Sequence, residues 1–287
     1  MKRREYLTGV AGVGALTTVG AVGSVSASAT SNHVVGTIPD REGDDDGPGG
    51  FGYPTNEQIL DGIMDMTGLT ISDDGDSWSF EVGIAGEIAN EFGLDAGFGA
   101  PAFQLYMRDP AAGSDVPAVT AGRPGSGLTF AGPYHYVAHI DGSKQVLERP
   151  SPEDDPFATE PSKFTTDQRT TIANEELSAS ADQDAGTITF TIPKGPIAGD
   201  SIADMDIALF SFSQDGFGVG SVRNDVAIEP ATWKINVGDN ALSNIPKAYD
   251  MIDPAGDQYD QLAYSSDSPA EVSLMTVGDV IESSGSS

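Results

Sequence analysis

Large apolar side chains alternate with polar ones along much of this chain. In residues 78–84, Trp, Phe, Val and Ile occupy every second position, with Ser, Glu and Gly between them. The same alternation recurs in residues 103–107, 188–192, 233–237 and 272–274. Because successive side chains of a β-strand point to opposite faces of a sheet, this period predicts strands with one face on a core and the other in water.

A fully apolar segment and the turn-forming clusters complete the prediction of the fold class. Residues 207–212 are apolar on both faces except for serine, which is typical of a strand in the middle of a sheet. Clusters of Gly, Asp, Pro and Ser separate the segments, and residues 73–76 predict a hairpin turn. Residues 55–66 suit one short helix, with Thr55 and Gln58 as its capping box. Many short strands with turn signals predict an all-β fold, an antiparallel β-sandwich or jelly roll.

The first 29 residues have the features of an export signal. Arg3 and Arg4 precede a weakly apolar run over residues 8–25, and Ala27 and Ala29 form an A-x-A cleavage pattern. Paired arginines before a mild apolar run indicate the twin-arginine pathway, so we expect an extracellular or cell-surface protein. An uncleaved anchor is the alternative, but the run is short and rich in glycine. No other apolar stretch is long enough to predict a membrane span.

The rest of the chain is expected to form one domain. Residues 30–37 are interpreted as a linker, residues 38–275 as the sandwich and residues 276–287 as a flexible tail. Residues 149–186 begin with a Pro-rich acidic run and predict a long acidic surface insertion. The alternative is a linker between two domains, but too few strands lie on either side of this segment for two sandwiches.

The charge of the chain restricts its partners. Its 287 residues include 14 Lys and Arg against 44 Asp and Glu, a formal net charge of -30. Nucleic acid and anionic membrane surfaces are excluded as partners, because both require basic patches. Such an acid excess is compatible with folding where salt screens it, since the Debye length is about 3 Å at 1 M salt, and it suits a haloarchaeal-type protein. The absence of cysteine excludes disulfides, thiol catalysis and a lipid anchor on cysteine.

The acidic segment that opens the domain has a distinctive order. Residues 40–55 read DREGDDDGPGGFGYPT, and this segment resembles the opening of the C-terminal binding module of glucodextranase and of related amylase- and pullulanase-type enzymes. The family is similar to the DOMON-like β-sandwiches that bind sugars or haem. Further matching pieces follow in order over about residues 38–275, at 64–67, 122–123, 213–217, Arg223, Trp233, 245–253 and Gln258. Two pieces depart, because Tyr134 or Tyr136 stands for a usual tryptophan and residues 90–93 replace a Pro-Trp-Gly element.

The resemblance implies a non-catalytic carbohydrate-binding module for α-glucan or cell-surface glycan. Such a module is usually appended to a hydrolase, whereas here it follows a leader, so an extracellular amylase-type enzyme or an envelope protein is an expected partner. A structural protein of the cell envelope is the first alternative. A glycoside hydrolase or its accessory is the second, since two carboxylates suffice for that chemistry and 44 acids make pairs uninformative. No serine elbow, phosphate loop or dinucleotide fingerprint is present.

The acidic opening is also a candidate calcium site. Asp40, Asp44 and Asp45 are the predicted ligands, with Asp65 as a distant partner, because short carboxylates on a Gly-bent loop can converge on Ca²⁺. A solvated acidic loop without an ion is the alternative. A second and weaker candidate, formed by Asp73, Asp74 and Asp76, is more often only a turn.

Aromatic residues suggest a sugar-binding face. The candidates for a platform are Tyr134, Tyr136 and Trp233, and those for hydrogen bonds to sugar hydroxyls are Gln104, Arg123, Asp215 and Arg223. The alternative places Trp233 and one of the tyrosines in the core, with satisfied polar tips. His135 and His139 are expected to be surface residues of a strand, since residues 134–140 have the pattern of a strand. No glutamate follows His135, so the helical zinc-protease pattern is absent.

Overall fold

Nearly every regular element of the chain is a β-strand. The computed structural model describes residues 33–158, 170–174, 176–214, 222–223, 225–238 and 242–281. The strands are β1 (His33–Pro39), β2 (Met66–Asp73), β3 (Ser77–Ile84), β4 (Pro101–Arg108), β5 (Val119–Ala121), β6 (Leu128–Tyr134), β7 (Tyr136–Asp141), β8 (Gln145–Arg149), β9 (Thr170–Ala173), β10 (Ser178–Asp182), β11 (Thr187–Pro193), β12 (Asp206–Ser213), β13 (Val226–Ala227), β14 (Ile235–Asn236), β15 (Asp250–Met251), β16 (Ala270–Val272) and β17 (Met275–Thr276). A 3-10 turn (Ile202–Asp204) and two one-turn helices, α1 (Gln258–Gln261) and α2 (Val277–Val280), complete the described elements.

Five antiparallel strands form the first sheet, in the order β1-β2-β3-β11-β10. Ile71, Phe80 and Phe190 lie opposite one another across three strands, and the rings of Phe80 and Phe190 stack with centroids 5.2 Å apart. The residues between them on the same strands are mostly Ser and Thr and face away from the core. The alternation of apolar and polar residues thus produces the predicted result, a sheet with one buried face.

Seven strands form the second sheet, in the order β15-β12-β4-β7-β8-β9, with β17 also paired to β12. Its strand β12 is buried at every position, which confirms the prediction of a central strand over residues 207–212. Phe103 and Leu209 pack on the first sheet in the larger core. Phe210 and Tyr106 point to the other face and belong to a second, smaller core.

A third sheet covers that other face, in the order β16-β6-β5. The ring of Tyr106 lies 4.5 Å from that of Phe130, 4.9 Å from that of Tyr134 and 5.8 Å from that of Phe210, measured between centroids. This aromatic contact joins the third sheet to the second. The prediction of an all-β antiparallel sandwich is confirmed, and the third sheet adds a layer that the sequence did not indicate.

Some local predictions differ from the structure. Residues 55–65 form turns and no helix, and Met66 already belongs to β2. Gly62 has φ +74°, which interrupts a right-handed helix. Two strands, β9 and β10, lie within the predicted insertion 149–186 and extend the edges of two sheets. At the predicted tail, β17 pairs with β12 and α2 follows it.

The leader at residues 1–29 lies outside the described residues. Within the described ranges, no helix has the length and apolarity that crossing a membrane requires.

Candidate metal centre

Three distant parts of the chain bring buried carboxylates together. Asp44 lies in the acid loop, residues 40–50, which follows β1; Asp65 directly precedes β2; and Asp250 begins β15. One oxygen atom of each of these three residues lies within 4.8 Å of the others. All three side chains are buried. Asp44, Asp65 and Asp250 are called the carboxylate cluster below.

Backbone amides hold the cluster in place. Oδ2 of Asp65 accepts a hydrogen bond from the Gly43 amide at 2.8 Å. Asp250 accepts from the amide of Met66 at 2.6 Å and from that of Met251 at 2.7 Å. These bonds connect the acid loop, β2 and β15, so the position of each carboxylate depends on the other two segments.

Some oxygens of the cluster have no hydrogen-bond partner. Among the described residues, nothing bonds to Oδ1 of Asp44 or Oδ1 of Asp65, and both atoms are buried. Oδ2 of Asp40 and Oδ2 of Asp253, which lie close by, are also buried without a hydrogen-bond partner among the described residues. The Asp253 amide donates to Oδ1 of Asp40 at 3.1 Å. Since a buried acceptor without a partner costs free energy, these oxygens are candidate ligand atoms for a cation.

The pKa values also show that the charged form of these carboxylates is disfavoured. Burial, reinforced by neighbouring carboxylates, raises the pKa of Asp65 to about 6 and that of Asp40 to about 8. Burial also raises the pKa of Asp44, and that of Asp250 well above its ordinary value. In the described part of the chain, no Lys or Arg forms an ion pair with the cluster. The charge of Arg41 in the acid loop opposes the rise in the pKa of Asp44, but burial outweighs it. Among the described residues the buried carboxylates of the cluster therefore have no ion pair that compensates their charge.

The donor set decides which ion fits. All the candidate ligand atoms are carboxylate oxygens, the donors that hard cations such as Ca²⁺ and Mg²⁺ bind. Ca²⁺ takes six to eight oxygens at about 2.3–2.6 Å in an adaptable geometry, whereas Mg²⁺ demands a near-ideal octahedron. The cluster, with Asp40 and Asp253 beside it, has enough oxygens to fit a calcium ion.

The structure distributes the four predicted ligands differently. Asp44 and Asp65 belong to the cluster, and Asp40 lies beside it. Asp45 instead accepts a short hydrogen bond from the Tyr53 hydroxyl. Asp250 was not predicted as a ligand, because it is far from the acid loop in sequence and no spacing marks it. The second acidic group is a turn, where Asp73 accepts from Lys194 Nζ at 2.6 Å and from the Gly75 amide at 2.8 Å.

Most residues predicted for a sugar face are buried. Tyr134 donates its hydroxyl to the Ala121 carbonyl at 2.8 Å within the smaller core, and Tyr136 lies in the larger core. Gln104 is fully buried and accepts from the Tyr106 hydroxyl at 2.5 Å. In this position none of the three presents a surface to a ligand. Asp215 lies outside the described residues.

Two buried polar pairs involve residues of the second sheet. Nε of Arg123 donates to Glu148 at 3.0 Å. The charge of Arg123 is therefore paired within the protein and is not presented to a sugar. Nε2 of His139 lies 3.0 Å from Oδ2 of Asp141. His139 is fully buried, so its placement on the surface was wrong. Burial lowers the pKa of His139, which favours the neutral imidazole.

Trp233 is the one predicted platform residue that remains accessible, with 41% of its surface exposed. The guanidinium of Arg223 lies 5.3 Å from the centre of its ring. Arg223 itself is buried and donates to Ser213 Oγ at 3.1 Å, to the Gln214 carbonyl at 2.8 Å and to the Trp233 carbonyl at 2.8 Å. These bonds hold the guanidinium in place, and its cation–π interaction with the indole contributes about 0.5–2 kcal/mol of stabilisation.

The raised pKa values predict how the metal-free protein responds to pH. Below about pH 4, Asp40 and Asp65 are protonated in both the folded and the unfolded chain. As the pH rises from about 4 to about 6 for Asp65, and to about 8 for Asp40, the folded state still holds protons that the unfolded chain has lost, so stability falls over these ranges and their contribution is gone above them. We expect urea unfolding with a chelator to show this loss, and Asp65→Asn to remove the part between about pH 4 and 6. An identical pH profile for Asp65→Asn and the wild type would contradict the account.

Comparisons with known proteins fit this architecture. Residues 35–277, most of the chain, match the family described as the C-terminal binding module, SLH-like, of glucodextranase. Comparison with curated proteins finds no match. The matched family is that of a binding module and not of a catalytic domain. The resemblance noted in the sequence is thus confirmed, and the chain belongs to the family of the SLH-like C-terminal binding module of glucodextranase.

Proposed function

We propose that this protein is a secreted, non-catalytic module that binds α-glucan or cell-surface glycan and is stabilised by calcium. The observation that carries the sugar-binding part is Trp233, an exposed indole supported by the buried Arg223 in a member of a binding-module family. A sugar ring stacks its apolar face on such an indole, and a side chain already held in place loses little entropy on binding. The net charge of -30 favours a neutral glycan over an anionic one.

The carboxylate cluster supports the calcium part of the proposal. The side chains of Asp44, Asp65 and Asp250 share one small buried space, and two of their oxygens have no partner among the described residues. A bound Ca²⁺ supplies the missing charge and ligand at once. It joins the acid loop to β2 and β15, so calcium holds two segments near the start of the domain to a strand near its end.

The extracellular location and the partners rest on the sequence. The Arg3-Arg4 pair and the A-x-A pattern support export by the twin-arginine pathway. The proposed partners are carbohydrate and an extracellular amylase-type enzyme. The SLH-like description of the family favours a second candidate, attachment to the cell envelope.

Calcium is expected to stabilise the folded protein through the cluster. At a free concentration of about 100 times its Kd, it should add about 2.7 kcal/mol to the free energy of unfolding. Asp250→Asn should abolish most of this gain, because it removes a charged ligand at the centre of the cluster. The measurement is urea unfolding in molar salt with calcium or with a chelator. Asp182→Asn, at the exposed end of β10, is the matched control and should keep the full gain. No difference between calcium and chelator in the wild type would remove the ion from the account.

Trp233→Ala is expected to weaken retention on an affinity gel that contains soluble starch, dextran or pullulan. The loss should be about tenfold in Kd, since the stacking surface disappears while the fold remains. Phe92→Ala is the matched control, because Phe92 is an aromatic residue with 44% exposure elsewhere on the surface. Equal retention of both variants and the wild type would exclude Trp233 as the platform. No retention of the wild type by any glycan would refute carbohydrate binding, and co-purification with envelope would then support the second candidate.

A further inference from the structure

The hydroxyl of Tyr53 connects two of the segments that carry the carboxylate cluster. It donates to Oδ2 of Asp45, the residue after Asp44. It also accepts a hydrogen bond of 2.9 Å from the amide of Met64, the residue before Asp65. A single oxygen atom thus links the acid loop to the chain that enters β2.

The ring of Tyr53 reaches the third segment of the cluster. It meets the ring of Tyr249 edge to face, with centroids 5.0 Å apart, and Tyr249 directly precedes Asp250. The Tyr249 carbonyl also accepts from the amide of Gly47 in the acid loop at 2.8 Å. Tyr53 therefore contacts a sequence neighbour of each of the three clustered carboxylates, and a change in their spacing acts on it directly.

The backbone on either side of Tyr53 holds the segment that carries the exposed indole. This segment, residues 231–236, is called the platform segment below. Gly52 exchanges two hydrogen bonds, of 2.8 Å and 3.0 Å, with Asn236 at the end of the platform segment. The Thr55 amide donates at 2.9 Å to the first carbonyl of the platform segment. Residues 52–55 thus bond to both of its ends.

The platform segment is not part of a larger sheet. It ends in the two-stranded sheet of β13 and β14, which pairs with none of the larger sheets in the described part of the chain. Ile235 anchors it in the larger core, and Arg223 donates to the Trp233 carbonyl at 2.8 Å. Beside these contacts, the bonds from residues 52–55 help to determine where the indole lies.

We propose that Tyr53 couples the carboxylate cluster to the platform segment, so that a cation in the cluster fixes the position of the Trp233 indole. The proposal rests on the proposed function and adds to it a positioning residue and the regulation of the platform by the ion. Without an ion, repulsion among ionised carboxylates separates the three segments that Tyr53 contacts. With an ion, these segments close around Tyr53. The coupling is reciprocal, because a ligand that favours the fixed indole must favour the ion-bound cluster by the same factor.

Acrylamide quenching of tryptophan fluorescence tests this coupling. The chain has two tryptophans, and Trp78 is fully buried, so the neutral quencher reports on Trp233. In molar salt, replacement of calcium by a chelator should raise the quenching constant of the wild type by about twofold, as an indole that is 41% exposed becomes freely accessible. Tyr53→Phe keeps the ring but removes the hydroxyl, and it should abolish most of this difference.

A matched variant separates the coupling from the general loss of a hydroxyl. Tyr134→Phe also removes a hydrogen-bonded hydroxyl, here in the smaller core, and should keep the full response to calcium. Urea unfolding with calcium and with chelator verifies that both variants are folded and are still stabilised by the ion.

Hydrogen exchange of the wild type gives a second measurement that needs no variant. Calcium should slow exchange of the Gly52 and Asn236 amides at least fivefold, the lower end of ordinary coupling between sites. The Ala185 amide, which donates to Asp182 in the exposed turn between β10 and β11, should exchange at the same rate in both conditions.

The outcomes distinguish this proposal from the proposed function. If calcium stabilises the wild type against urea but changes neither the quenching nor the exchange of the two amides, the coupling is refuted and the calcium site stands. If folded Tyr53→Phe keeps the full quenching response, the role of Tyr53 is refuted. If calcium does not stabilise the wild type, the ion and the coupling fail together, whereas carbohydrate binding by Trp233 stands.

Discussion

Repulsion among buried carboxylates is the constraint on which the packing of the acid loop against β2 and β15 depends. Asp44, Asp65 and Asp250 each place an oxygen within 4.8 Å of the others. Two like charges about 4 Å apart repel by about 4 kcal/mol at an effective dielectric constant of 20, so three ionised carboxylates cannot share this space unaided. Protonation relieves the repulsion at low pH, and a cation relieves it at neutral pH. Either one strengthens the contact of the acid loop with β2 and β15, which backbone hydrogen bonds such as that from the Gly47 amide to the Tyr249 carbonyl also maintain.

The sheets supply the frame that makes this arrangement possible. Strand β12 is covered on both faces, by the first sheet and by the aromatic contacts of Tyr106, Phe130 and Phe210. Strand β15 pairs with β12, and this pairing fixes Asp250 opposite Ser211. The cluster is thus anchored to a strand that is buried at every position. Trp233 lies at the surface, on the segment whose Asn236 bonds to Gly52 just after the acid loop. Tyr259 also lies at the surface, next to Gln258, which donates to the Asp44 carbonyl in the acid loop.

Much of the fold could be predicted because its signals are local. Alternation in residues 78–84 and 188–192, the turn at 73–76 and the apolar run at 207–212 each depend on neighbouring residues, and each appears in the structure. The site was only half accessible to such reasoning. Asp44 was predicted from the crowded acid loop and Asp65 as a distant partner, whereas Asp250 joins them through strand pairing between distant segments. The sequence left Tyr134 and Tyr136 as platform candidates with a core position for one of them as the alternative, and the structure places both in a core.

Crystallography of the protein grown with calcium, with anomalous data collected for that ion, tests the central claim most directly. The account predicts one calcium ion bound at about 2.3–2.6 Å to carboxylate oxygens of Asp44, Asp65 and Asp250. It also predicts that the ion takes up the oxygens of Asp44 and Asp65 that otherwise have no partner. A cluster that holds only water at saturating calcium, or an ion bound instead at the turn of residues 73–76, would contradict it.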